Sequence, residues 1–119
     1  MRAIFIDAER RRVQDVQIDE KDNLGGMQEL VDGHIELAHV LDEHHDVYVN
    51  EEGMMVWPEH FFMIEGARHP YAGNGVIVGR DGNGETTETI VTAKKIKPMV
   101  KFMSREEVSA FLVAALDEI

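Results

Sequence analysis

At 119 residues, with 44% hydrophobic and 29% charged residues, the chain has the size and make-up of one soluble globular domain with a single core. It contains no cysteine, which excludes disulfides, thiolate metal sites and a cysteine nucleophile, and no apolar run near the roughly 20 residues of a membrane span. The net charge of −11 is unevenly spread: residues 15–65 hold 14 acids against Lys21 alone, while residues 94–105 hold Lys94, Lys95, Lys97, Lys101 and Arg105 without an acid.

Residues 2–6 (RAIFI) and 13–18 (VQDVQI) are β-branched and apolar around a polar segment, which predicts an antiparallel hairpin with a loop longer than two residues. Val16 and Ile18 share a face and Val13 falls on the other, so a bulge or an early strand end is expected. The triplet Arg10-Arg11-Arg12 sits at the hairpin tip. The short apolar stretch broken by Asp7 lacks the long core of a secretory signal, and a cytoplasmic protein is expected.

Leu24, Met27, Leu30 and Val31 recur at helical spacing, predicting a short helix over 24–31 capped by Asp22 or Asn23. Gly25 and Gly26 weaken it and suit close packing against a sheet better than anion binding. Gly33 is read as its left-handed stop. His34–Leu41 alternates as a strand, Leu41–Asp46 (LDEHHD) is a charged loop, and Val47–Val49 is a return strand ended by the turn Asn50–Gly53. Met54–Trp57 is assigned to another short strand, and Pro58 to the first turn of a short helix.

Ala67–Asn74 is a loop by its Pro, Gly and Asn content, and Gly75–Arg80 (GVIVGR) is a buried strand. Asp81–Gly84 (DGNG) is a hairpin turn, with Glu85–Thr92 as the returning strand. Pro98 blocks a helix through Lys94–Met103. Ser104 and Glu107 form an S-x-x-E capping box. Val108, Phe111, Leu112, Ala115, Leu116 and Ile119 then make one apolar stripe, predicting a helix over 105–118.

The blocks ELVDGHIELAHV, DVYVNEEG and AGNGVIVGRDGNGE, with the opening MRAIFID and their spacing, resemble the domain of unknown function family 3846 over roughly residues 1–85. The most specific parts are Gly33–Glu36 and Tyr48–Gly53; MMVWPEHFF stands where the family pattern has a small polar segment. The resemblance implies a small protein of the kind found in bacteriophages, plasmids and mobile genomic regions, and implies no catalytic residues.

Six histidines among many carboxylates make metal the first chemistry to test. His34 and Glu36 share a strand face, and His44 and His45 stand in the acidic loop, but no H-E-x-x-H or helical His pair accompanies them. Asp81–Glu85 begins like a calcium loop but lacks its later Gly and Glu, and Gly73-Asn74-Gly75 leads into a strand rather than a helix, so neither a calcium nor a dinucleotide site is indicated. Ser104 is used as a cap, and no G-x-S-x-G occurs.

The expectation is a single-domain α+β fold, with an antiparallel or mixed sheet of about five or six strands, a short helix near 24–31 and a C-terminal helix. No enzymatic activity, cofactor or membrane association is expected, and the acidic balance argues against direct nucleic-acid binding. Function is expected by protein–protein contact or self-association as a homodimer. Asp42, Glu43, Asp46, Glu51, Glu52, Trp57 and Phe61 are the interaction candidates, with a DNA-mimic-like acidic surface for a host protein as one form. The alternative is a metal- or small-ligand-binding domain using His34, Glu36 and the His44/His45 loop.

Overall fold

The computed structural model describes residues 1–117. It is an α+β fold in which a six-stranded antiparallel sheet carries a helix on one face and a second, three-stranded sheet on the other. The opening hairpin forms as expected, from β1 (Arg2–Asp7) and β2 (Arg12–Gln17). Its register runs unbroken over six pairs from Arg2↔Gln17 to Asp7↔Arg12, so of the expected bulge or early strand end no bulge forms, and the strand ends at Gln17, one residue short of the expected Ile18. Both faces of this hairpin are covered, and Val13 and Val16 pack into different clusters.

α1 (Asn23–Val31) starts at Asp22, whose carboxylate accepts the Gly25 N–H at 3.0 Å. A Cβ on Gly26 would come to 2.9 Å from Ile18 Cβ, so this glycine lets the helix lie close on the sheet. The left-handed residue at the helix end is Asp32 (φ 60°), not Gly33. Gly33 serves a different purpose, since a Cβ there would meet the Asn50 amide at 2.5 Å. With Met27 and Val31, the helix covers Ala3, Ile18, Val76 and Val78.

β3 (Ile35–Asp42) and β4 (His45–Asn50) form the next hairpin, and the charged loop expected at 41–46 shrinks to the turn Glu43-His44. Register shifts after Leu37 and Val40 break the expected alternation of β3. At the first shift the Ala38 carbonyl accepts the Tyr71 hydroxyl at 2.9 Å. Next comes α2 (Gly53–Val56), a single helical turn where a strand was expected. It ends at Trp57 in left-handed conformation (φ 53°), and the chain after Pro58 enters β5 (His60–Ile64) rather than a helix.

β6 (Tyr71–Ala72) is a short strand inside the expected loop, and β7 (Gly75–Arg80) is a buried strand between β1 and β4. Beyond the DGNG turn, β8 returns for Thr86–Thr87 alone, and residues 88–92 leave the sheet as a strap. The strap crosses Gly79, where a Cβ would lie 2.4 Å from the Glu88 carbonyl oxygen. α3 (Ala93–Ile96) and a 3-10 turn precede β9 (Val100–Ser104), a strand without a sequence signal strong enough to predict it.

β9 pairs with β5, and the sheet β6-β5-β9 places Phe62 in the main core and Phe61 beneath α4 (Arg105–Asp117). The capping box forms: Ser104 N–H donates to Glu107 at 3.1 Å, and Glu107 N–H donates to the Ser104 hydroxyl at 3.2 Å. These bonds hold the Glu107 carboxyl below its ordinary pKa. The stripe of α4 is covered only in its first half, at Val108, Phe111 and Leu112, whereas Ala115 and Leu116 are exposed. Glu118 and Ile119, the end of the predicted helix and stripe, lie outside the described residues.

Candidate functional site

The acidic histidine segment, the strongest chemical candidate in the sequence, folds into a closed polar cluster at one end of the sheet. His45 is 3% exposed and Asp46 5% exposed, so neither belongs to a loop surface. The His45 ring bonds the Asp42 carboxylate through Nδ1 at 2.9 Å, while its Nε2 accepts the Ile90 backbone N–H at 3.1 Å. Both ring nitrogens are therefore occupied, which leaves no lone pair for a metal and no base for a nucleophile. Burial raises the Asp42 carboxyl, but bonds from the His44 backbone and the His45 ring outweigh it and set its pKa below the ordinary value.

Asp46 lies on the opposite face of β4 and pairs with the Arg80 guanidinium, which also donates to the Glu43 carbonyl at 2.8 Å. That pairing raises the Arg80 pKa. Tyr48 beside it is raised by burial and by the Asp46 charge. Asp46 as an interaction residue is thus corrected: its charge is spent on Arg80. Phe61 is corrected as well, since it is fully buried and stacks edge-to-face on Trp57 at 5.1 Å. Trp57 itself is half-buried within the same cluster.

His34 precedes β3 and is exposed near Gln28, Glu36 is exposed on β3, and His44 is exposed on the turn at the other end of that strand. The four predicted ligands therefore do not converge, and no group of three or more metal-binding side chains forms among the described residues.

The opposite end of the sheet is open. A cleft of about 350 Å³ lies between the end of α1 (Val31, Asp32), the β4–α2 turn (Asn50, Glu52, Gly53) and the β6–β7 turn (Ala72, Gly73, Asn74). Glu9 and His60 complete its polar rim, and Val56 and Pro58 its apolar wall. Asn50 ties the parts together: its amide donates to the Asp32 carbonyl at 3.0 Å, and its carbonyl accepts the Glu52 N–H at 2.8 Å. Asn74 accepts the Ala8 N–H at 2.9 Å and so anchors the β1–β2 turn. Gly53 allows α2 to approach Ala72, where a Cβ would sit at 3.1 Å, and Gly73 (φ 75°) makes the turn possible.

Beside this cleft α2 exposes three consecutive apolar residues: Met54 at 44%, Met55 at 86% and Val56 at 68%. Glu51 and Glu52, both exposed, precede them. The far side of the same turn meets a second groove along Glu36, Leu37 and Tyr71, so α2 is a ridge between two depressions.

The family model described as Domain of unknown function (DUF3846) matches residues 1–101 of the 119. The chain belongs to this family. No curated protein and no solved structure matches it. The cleft segments Val31-Asp32, Asn50 to Gly53 and Ala72 to Asn74 are distant in sequence and all lie within the matched residues, whereas α4 lies beyond them. No local spacing rule reveals this convergence, because β7 pairing between β1 and β4 creates it. Among the described residues no helix is long and apolar enough to cross a membrane.

Proposed function

We propose that this DUF3846 protein acts by binding another protein through the ridge at α2 and the adjoining acidic cleft, and that it is not a catalyst. The observation that carries the reading is the run Met54-Met55-Val56, exposed in sequence and flanked by Glu51, Glu52 and the cleft acids Glu9 and Asp32. Consecutive exposed apolar residues cost solubility and serve where a partner covers them. Methionine adapts to varied partner shapes, and methionines with a polar rim are a common interface composition. The partner chemistry that fits is an amphipathic segment carrying Lys or Arg, with its apolar side on the methionines and its cations in the cleft. The resemblance to proteins of phages, plasmids and mobile regions makes a bacterial host protein, met in the cytoplasm, the natural partner class.

A continuous phosphate-mimicking array has less support. Asp42 and Glu43 stand at one end of β4 and Glu51 and Glu52 at the other, about 20 Å apart at the rise of an extended strand. Catalysis has little to draw on either, since Ser104 is engaged as a cap and both His45 nitrogens are bonded. The test is photo-crosslinking from a benzophenone side chain placed at position 55, with the same label at position 14 as control. One dominant protein adduct from position 55, diminished by high salt and by Met54→Asp, is the expected result. Equal adducts from both positions, or none from position 55, overturn the reading.

A further inference from the structure

The two outer strands of the main sheet are built differently. β3 is interrupted by two register shifts, a common means of blunting a free edge, whereas β2 keeps six consecutive pairs with β1. Ile18 N–H donates to the Met1 carbonyl at 2.9 Å, and the Met1 ammonium donates to the Ile18 carbonyl at 2.6 Å. Such bonded positions recur at every second residue of an antiparallel pair, so Arg12, Gln14 and Val16 direct their backbone groups toward β1. Val13, Asp15 and Gln17 accordingly direct theirs away from the sheet. Among the described residues no other backbone pairs with those three.

The side chains around this open row are basic and come from two distant segments. Arg11 and Arg12 lead into the strand and are exposed. α3 packs on β2, with Ala93 N–H donating to the Asp15 carboxylate at 2.9 Å, and brings the exposed Lys94 and Lys95 alongside. The salt bridges among the described residues are Arg10–Asp7, His45–Asp42 and Arg80–Asp46, so Arg12, Lys94 and Lys95 have no acid at ion-pair distance, whereas Arg11 shares a depression with Glu59 and Glu106 and acts on the Glu107 carboxyl. In a chain of net charge −11, an unpaired basic group gathered at one open strand is opposite to what composition favours.

We infer that the outer edge of β2 receives an extended acidic segment of another protein as an added strand. Main-chain bonds to Val13, Asp15 and Gln17 supply the ladder, and alternate acidic side chains meet Lys94 and Lys95 on one face and Arg12 at the end. Nucleic acid fits less well, because a row of paired N–H and C=O groups matches peptide, and no aromatic ring is among the exposed large hydrophobic side chains to stack on bases. The same cations would also serve to keep stray strands away, and the experiment separates the two roles.

A labelled strand-length peptide of alternating Glu and Val is titrated with the full chain by fluorescence anisotropy, and amide hydrogen exchange is read in parallel. Expected are salt-sensitive binding, slowed exchange at Val13, Asp15 and Gln17, and about tenfold weaker binding by the K94E/K95E variant with unchanged thermal unfolding. A peptide with proline at alternate positions should lose binding, because it lacks the N–H groups of the ladder. The proposal is overturned by absence of binding, by equal binding of a Lys–Val peptide, or by undiminished binding of the proline peptide. Self-association through β2 without peptide, seen by sedimentation, would overturn it in favour of a second copy.

Discussion

The two ends of the main sheet carry similar residue types and use them in opposite ways. At the hairpin-tip end, Asp42, His45, Asp46 and Arg80 satisfy one another, and the strap supplies the last donor from Ile90. At the cleft end, Asn50 and Asn74 spend their amides on backbone, which frees Glu9, Asp32 and Glu52 to line a cavity beside exposed methionines. A dense run of His, Asp and Glu is therefore a poor guide to function once its members can reach each other. Groups left facing solvent beside apolar surface are the better guide.

The largest effect on stability is expected at the cleft end, from the residue that organises it. Asn50→Ala removes bonds to Val31, Asp32 and Glu52 and should cost about 3 kcal/mol in chemical denaturation, at roughly 1 kcal/mol per bond. A loss under about 1 kcal/mol would mean that the cleft is not held by this side chain. Asp46→Ala at the other end should cost about 2 kcal/mol, because Arg80 is partly exposed and recovers water when its partner is removed.

The pH dependence sharpens the contrast further. The Asp42 carboxyl has a folded pKa below its unfolded value, so its contribution is complete above the ordinary carboxylate range and is lost as pH falls through the lower folded value. Asp42→Asn should flatten the acid limb of a stability–pH curve below about pH 4 while changing little above the loss of its own bonds. Smallest in stability should be Met54→Ser, within about 0.5 kcal/mol of the parent, although it should weaken the crosslinking from the label at position 55 on the α2 ridge. A variant that lost stability but kept its adduct would invert the comparison.

Much of the local architecture was legible because it is local. The Arg2–Asp7 hairpin, the Asp22 cap, the DGNG turn and the Ser104–Glu107 box each depend on neighbours a few residues away. The loop reading of His45 and Asp46 failed because their partners, Ile90 and Arg80, lie 45 and 34 residues distant. α2 was misread as a strand because four apolar residues have no period long enough to separate helix from strand. β9 followed a proline and a lysine-rich run, and only pairing with β5 makes it a strand. Of the interaction candidates, Glu51 and Glu52 adjoin the α2 ridge, whereas the methionines that give the ridge its character carried no signal until their exposure was known.

Asp32 shows what the open end demands of the chain. It ends α1 with a positive φ, where glycine is at ease, and sets a carboxylate at the negative pole of that helix. Asp32→Gly is accordingly expected to raise the melting temperature, by the equivalent of about 1 kcal/mol or less. A thermostability screen applied to this protein would therefore select against its own cleft, and positions where such a screen succeeds too easily become a map of the surface the fold is built to present.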